Sequence, residues 1–178
     1  MRLNVTALIA ILILCRSVAF GQAPQCTRGE PEPVFHSNNP AVQSESFNLI
    51  SSHEATEEVL FKSGDRLTIR NWGCDAFTLT FRWESKSLTG TDPIAQSLQV
   101  LRKLIAMRTD AVFDLTRAAS GLEALIKRKV QLKQGEQYSV DGDASDADFQ
   151  LKFSLRSSGA GSATGSRYVE FDLTLGPL

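Results

Sequence analysis

Phe77-Thr78-Leu79-Thr80-Phe81-Arg82-Trp83 (FTLTFRW, 77–83) decides the fold class. Large apolar side chains alternate with polar ones, the period of a β-strand that buries one face and exposes the other. Phe77, Leu79, Phe81 and Trp83 are expected to point into a core, with Thr78, Thr80 and Arg82 outward. The same alternation recurs upstream in Phe47 and Leu49, Val59 and Phe61, and Leu67 and Ile69, with Ser63-Gly64-Asp65 as a turn between the last two pairs. It returns downstream in Tyr138 and Val140, in Phe149, Leu151, Phe153 and Leu155, and in Val169, Phe171, Leu173 and Leu175. Residues 157–166 (SSGAGSATGS) join the last two runs; they are too small and polar to pack, so a mobile hairpin loop is expected.

Between these strand regions the period changes. Thr91 or Asp92 can cap a helix whose first position is Pro93, where the missing N–H costs nothing. Ile94, Leu98, Leu101 and Ile105 then recur at helical spacing. Ser120-x-x-Glu123 reads as a capping box opening a second helix, with Leu122, Leu125 and Ile126 on one side. Val112, Phe113 and Leu115 fit either a strand-like link or a further helical turn. The pattern predicts an α+β domain over residues 47–178: one antiparallel twisted sheet of about six or seven strands, with a helical insert packed on one face. A half-closed barrel around the helices fits the same periodicity.

The chain begins with Arg2, an apolar run from Val5 to Cys15 and the triplet Ala19-Phe20-Gly21. A charged start, a short apolar stretch and small residues before a cleavage point mark a secretory leader over residues 1–21. The apolar run is shorter than the ~20 residues a bilayer span needs. Residues 22–46, rich in Pro, Ser, Asn and Gln, read as an irregular arm. Export to the periplasm or beyond gives meaning to the cysteines, because Cys26 and Cys74 alone follow the leader and an even pair in an oxidising compartment forms a disulfide. Loss of Arg2 and Arg16 with the leader takes the formal net charge from −1 to −3, a balance that argues against nucleic acid as a partner.

Three stretches carry candidate sites. Asp141, Asp143, Asp146 and Asp148 alternate in an acidic loop that could converge on calcium. The EF-hand pattern fails there at Asp146, where glycine belongs, and at Lys152, where glutamate belongs, and Asp-Gly runs also make ordinary strand connections. The helical insert is basic: Arg102, Lys103, Arg108, Arg117, Lys127, Arg128, Lys129 and Lys133 face only Asp110, Asp114 and Glu123. Arg102, Lys103, Lys127, Arg128 and Lys129 are the candidate contacts to an acidic partner, although Lys127 to Lys129 also suit a helix C-terminus. Third, the outward residues of the sheet form a polar row, in which Trp72 departs from the parity of Leu67 and Ile69; it reads either as an exposed anchor for a partner or, the favoured expectation, as returned to the core by a bulge near Gly73.

Catalytic patterns are sparse. His36 and His53 have no nucleophile motif to serve, and no phosphate-cradling glycine loop precedes a helix. Glu54, Glu57 and Glu58 could pair for carboxylate chemistry, but charged surface is the simpler reading. The chain therefore reads as an exported, disulfide-tied, non-enzymatic binding protein without cofactor, of inhibitor or immunity type, acting on an envelope or extracellular protein. A carbohydrate- or lipid-binding module and a carboxylate hydrolase are the alternatives.

Overall fold

Strand alternation becomes sheet alternation over most of the chain. The computed structural model describes residues 26, 29–35, 38–141 and 149–177. Strands β1 (Val42–Ser51), β2 (Glu54–Phe61), β3 (Arg66–Trp72) and β4 (Phe77–Ser85) form an antiparallel meander. Helices α1 (Pro93–Ala106) and α2 (Leu115–Lys127) follow, then β5 (Gln137–Ser139), β6 (Phe149–Ala160) and β7 (Arg167–Pro177). All seven strands belong to one sheet of order β1-β2-β3-β4-β7-β6-β5. The chain thus leaves the sheet after β4, builds both helices, re-enters at the far edge and works back until β7 pairs with β4 from Phe77↔Leu175 to Ser85↔Arg167. β1 and β5 are the two edges, so the fold is α+β on an open antiparallel sheet.

FTLTFRW sits at the centre of this arrangement because it is paired on both sides. Leu79, Phe81 and Trp83 are buried with Leu67 and Ile69 of β3 and Val169, Phe171 and Leu173 of β7. Leu98, Leu101, Leu104 and Leu122 of the helices join the same cluster. Aromatic rings stack within this core: Phe61 of β2 on Trp83 of β4 at 5.0 Å between centroids, and Phe81 of β4 on Phe171 of the neighbouring β7 at 5.4 Å, separations at which aromatic pairs attract. Among the described residues no helix is long and apolar enough to cross a membrane.

α1 starts as expected, with the Asp92 carboxylate accepting the Ile94 amide at 2.9 Å and Pro93 at the first position. α2 starts earlier than the Ser120-x-x-Glu123 box implies. Asp114 is its cap, accepting the amides of Thr116 and Arg117 at 2.9 and 3.1 Å, and Ser120 lies in mid-helix. An aspartate cap six residues upstream of Ser120 satisfies the same orphan donors, so Leu115 opens the helix.

Three other expectations change. Phe47 and Leu49 are not core residues: β1 is an edge strand, Phe47 is half-buried and Leu49 stays 42% exposed. Residues 29–35 are irregular, as their composition implies, yet Val34 and Phe35 are buried among the core side chains. Glu57 holds them there, its carboxyl oxygens accepting the amides of Val34 and Phe35 at 2.7 and 2.9 Å. Finally, 157–166 is no loose loop. β6 runs on to Ala160, paired with Arg167, and only residues 161–166 turn.

Candidate binding face

The even-numbered residues of β2, β3, β4 and β7 form the sheet face opposite the buried odd-numbered ones, and Trp72 belongs to it. β3 and β4 keep register without a break from Arg66↔Glu84 to Trp72↔Thr78, so no bulge returns Trp72 to the core. Parity instead buries Asn71, at 4% exposure. The Trp72 indole N–H donates to Thr80 Oγ1 at 3.0 Å, and that hydroxyl donates to Asp172 Oδ1 at 2.7 Å. With an ordered polar partner one strand away, the indole has no need of the core.

A real bulge lies elsewhere, between Leu155 and Ser157 of β6. The extra residue there is Arg156, whose Nε donates to both oxygens of Asp172 at 2.7 and 2.8 Å. Its guanidinium lies 5.8 Å from the Trp72 ring centroid, and that of Arg70 lies 5.4 Å away. Arg70 is fixed in turn by Glu54 at 2.8 Å. Arg82 reaches Glu170 at 3.0 Å while its guanidinium lies 3.7 Å over the Tyr168 ring. Every arginine in this group is thus oriented by a cross-strand carboxylate and set against an aromatic ring. Trp72, Arg156 and Asp172, with Gln137 of β5 and Gln134 just before that strand, border a cleft of about 780 Å³. A second cleft of about 430 Å³ lies between β1 and β4 over Arg66 and Glu58.

The Ser/Gly turn after β6 builds one further device. Ser162 Oγ, Ser166 Oγ and the Ala163 amide all donate to the Glu84 carboxylate, at 2.7–3.0 Å. The Ser166 hydroxyl and then the Ala163 amide draw the Glu84 pKa down from the usual 4.5 to about 2. Because the folded pKa is depressed, the contact stabilises fully above the unfolded value and is lost as pH falls from about 4.5 toward 2. Glu84 is only partly buried, so solvent screening keeps the effect near ~1 kcal/mol. Glu84→Gln is expected to melt below the parent protein at pH 6, with the gap narrowing steadily as the pH is lowered to about 2.5; a constant gap across that range in melting curves would discard the clamp.

The residues singled out by spacing are distributed as follows. Arg102 pairs with Glu123 across the two helices. Lys103 donates to Asp65 Oδ2 at 3.2 Å and to Ser87 Oγ at 2.8 Å. Lys127, Arg128 and Lys129 lie exposed where α2 ends and form no ion pair among the described residues. Of the five basic residues, Arg102 and Lys103 are thus each paired with a carboxylate, and the other three stand at the end of α2, where they suit the helix dipole. The Asp141 side chain is buried, accepting the Leu151 amide at 2.6 Å and paired with Arg117, contacts that tie β6 to α2. Asp143, Asp146, Asp148 and His36 lie outside the described residues. Cys26 and Cys74 are bonded, with Cα atoms 5.1 Å apart.

The three glutamates at 54–58 do not converge. Glu57 points into the core while Glu54 and Glu58 alternate away from it, the direct result of strand pleating. On the polar face Glu170 and Asp172 each meet an arginine instead of a second carboxylate, and Glu84 is shifted opposite to what a general acid requires. What this face offers is oriented guanidinium, aromatic and hydroxyl groups on a rigid sheet. Comparison with known protein families, curated proteins and solved structures finds no match to this chain.

Proposed function

We propose that this chain is an exported, non-enzymatic binding protein that presents the polar face of its sheet to another protein outside the cytosol. The observation that carries this reading is the gathering of Trp72, Tyr168, Arg70, Arg82 and Arg156 on one sheet face. Trp, Tyr and Arg are the residue types that dominate protein-binding hot spots. Their side chains are held in place before any partner arrives, which lowers the entropy cost of association. In this reading α1 and α2 pack on the opposite face and leave this one open. An inhibitor or immunity protein needs little more than such a rigid, charged platform. The export half rests on the leader pattern of residues 1–21 and on the bond between Cys26 and Cys74. The basic residues at 127–129 take a secondary place, as helix-end charges.

The test is affinity capture from envelope and culture-supernatant fractions with the oxidised protein and two variants. Trp72→Ala/Tyr168→Ala is expected to lose a stoichiometric partner by at least about tenfold in affinity, a loss typical of removing hot-spot aromatics. Lys127→Glu/Lys129→Glu is expected to keep it. Retention by the aromatic double variant and loss by the lysine variant would move the site to the end of α2.

A further inference from the structure

A third cleft, of about 400 Å³, opens at the C-terminal end of α1, where the β2–β3 turn and residues 40–41 meet it. Its size lies in the range of small-molecule sites, and it shares no residue with the polar face described above. Phe61 and Trp83 make the floor, and Ala41, Ala106 and Met107 supply apolar walls. The polar residues of the lining are Lys62, Ser63 and Lys103, with the buried Asp65 among them.

The one carboxylate here is engaged, and the ammonium groups have donors to spare among the described residues. Asp65 Oδ1 accepts from Ser85 Oγ and Oδ2 from Lys103, so both oxygens are engaged. The Lys103 ammonium has three N–H groups and gives two, to Asp65 and Ser87. Lys62 gives one, to the Pro40 carbonyl at 2.7 Å. Two ammonium groups face one carboxylate, which leaves the cleft lining, among the described residues, with net positive charge and N–H donors to spare. An acceptor-only anion is the group this chemistry recognises.

From the apolar floor and the donor-rich rim together we infer that this cleft binds a small amphipathic monoanion, an aryl or short alkyl carboxylate. Its apolar body lies against Met107, Ala41 and the aromatic floor, and its carboxylate bonds to Lys62 and Lys103. The inference is independent of the protein-binding face. It carries its own reporter, because the Lys103 ammonium sits 5.0 Å from the Trp83 ring centroid and a bound carboxylate draws on that ammonium.

The chain has two tryptophans, so Trp72→Phe leaves Trp83 as the only indole. Titration of this variant with 4-phenylbutyrate is expected to give a saturable change in indole emission. The neutral 4-phenylbutyramide is expected to bind at least about tenfold more weakly, since it cannot form the charge-assisted bonds. Lys62→Gln/Lys103→Gln is expected to abolish the preference for acid over amide. Ala106→Phe, at an exposed helical position on the cleft wall, is expected to block both ligands while melting like its parent. Emission that drifts linearly to the solubility limit, equal affinity for acid and amide, or unchanged binding by Ala106→Phe would each overturn the inference.

Discussion

Replacing Glu57 with alanine is expected to cost about 3–4 kcal/mol of folding stability, because two buried amides lose their acceptor at once. Each unsatisfied buried donor costs roughly 1–3 kcal/mol. Water cannot easily compensate, since Glu57 itself is 2% exposed and Val34 and Phe35 are no more so. Among the arm's other ties are the Cys26–Cys74 bond, the Lys62 ammonium on the Pro40 carbonyl, the Asp110 amide donating to the Val34 carbonyl at 3.0 Å and Asn39 donating to the Met107 carbonyl at 3.0 Å, and none of these serves the Val34 and Phe35 amides. Losing the Glu57 contacts should therefore free residues 29–40 before the sheet unfolds. Chemical denaturation measures the energy and limited proteolysis the local release. Glu57→Gln keeps one acceptor oxygen but turns an N–H₂ toward a second N–H, so it should fall between parent and alanine variant. A loss under about 1 kcal/mol with no new cleavage in the arm would show that Glu57 does not hold it.

Glu57 also shows how far parity can be read from sequence alone. Val59 and Phe61 set the inward positions of their strand, and counting back by two reaches Glu57 and Ala55, both buried. A carboxylate at an inward position must find donors, and that argument was available without coordinates. The same counting puts Asn71 inward and Trp72 outward, and no bulge is needed, because the indole N–H is served on the polar face by Thr80. Parity is legible because it is local. Edge status is not, so nothing in VQSESFNLIS reveals that β1 has a neighbour on one side only and that Leu49 stays exposed. Nor is the role of SSGAGSATGS legible: its hydroxyls and amides look like solvated loop until β4 brings Glu84 within reach across more than seventy residues of chain. The binding face has the same origin. Arg82 and Glu170, or Arg156 and Trp72, become neighbours only through the β4–β7 and β6–β7 pairings.

Gly121→Ala is expected to destabilise the protein by about 3 kcal/mol, against the usual sign for a glycine inside a helix. On an exposed helix such a change gains about 1 kcal/mol, because alanine loses less backbone entropy. Here α2 lies so close to Val140 that a Cβ on Gly121 would stand 1.9 Å from the Val140 carbonyl oxygen and 2.5 Å from its Cβ. Val140 has little freedom to retreat. Its amide donates to the Leu151 carbonyl at 3.0 Å, and the following residue, Asp141, accepts the Leu151 amide and pairs with Arg117 of α2 itself. Inserting a methyl group therefore pries the helix from the segment that leads into β6, an overpacking cost at the upper end of the usual range. Ser120→Ala is the matched control: Ser120 is an exposed position on the same helix, and the change should gain a few tenths of a kcal/mol from propensity alone. Opposite shifts of the two neighbours in urea denaturation would locate the close approach at residue 121. If both variants gained stability, α2 would have to sit further from Val140 than this fold places it.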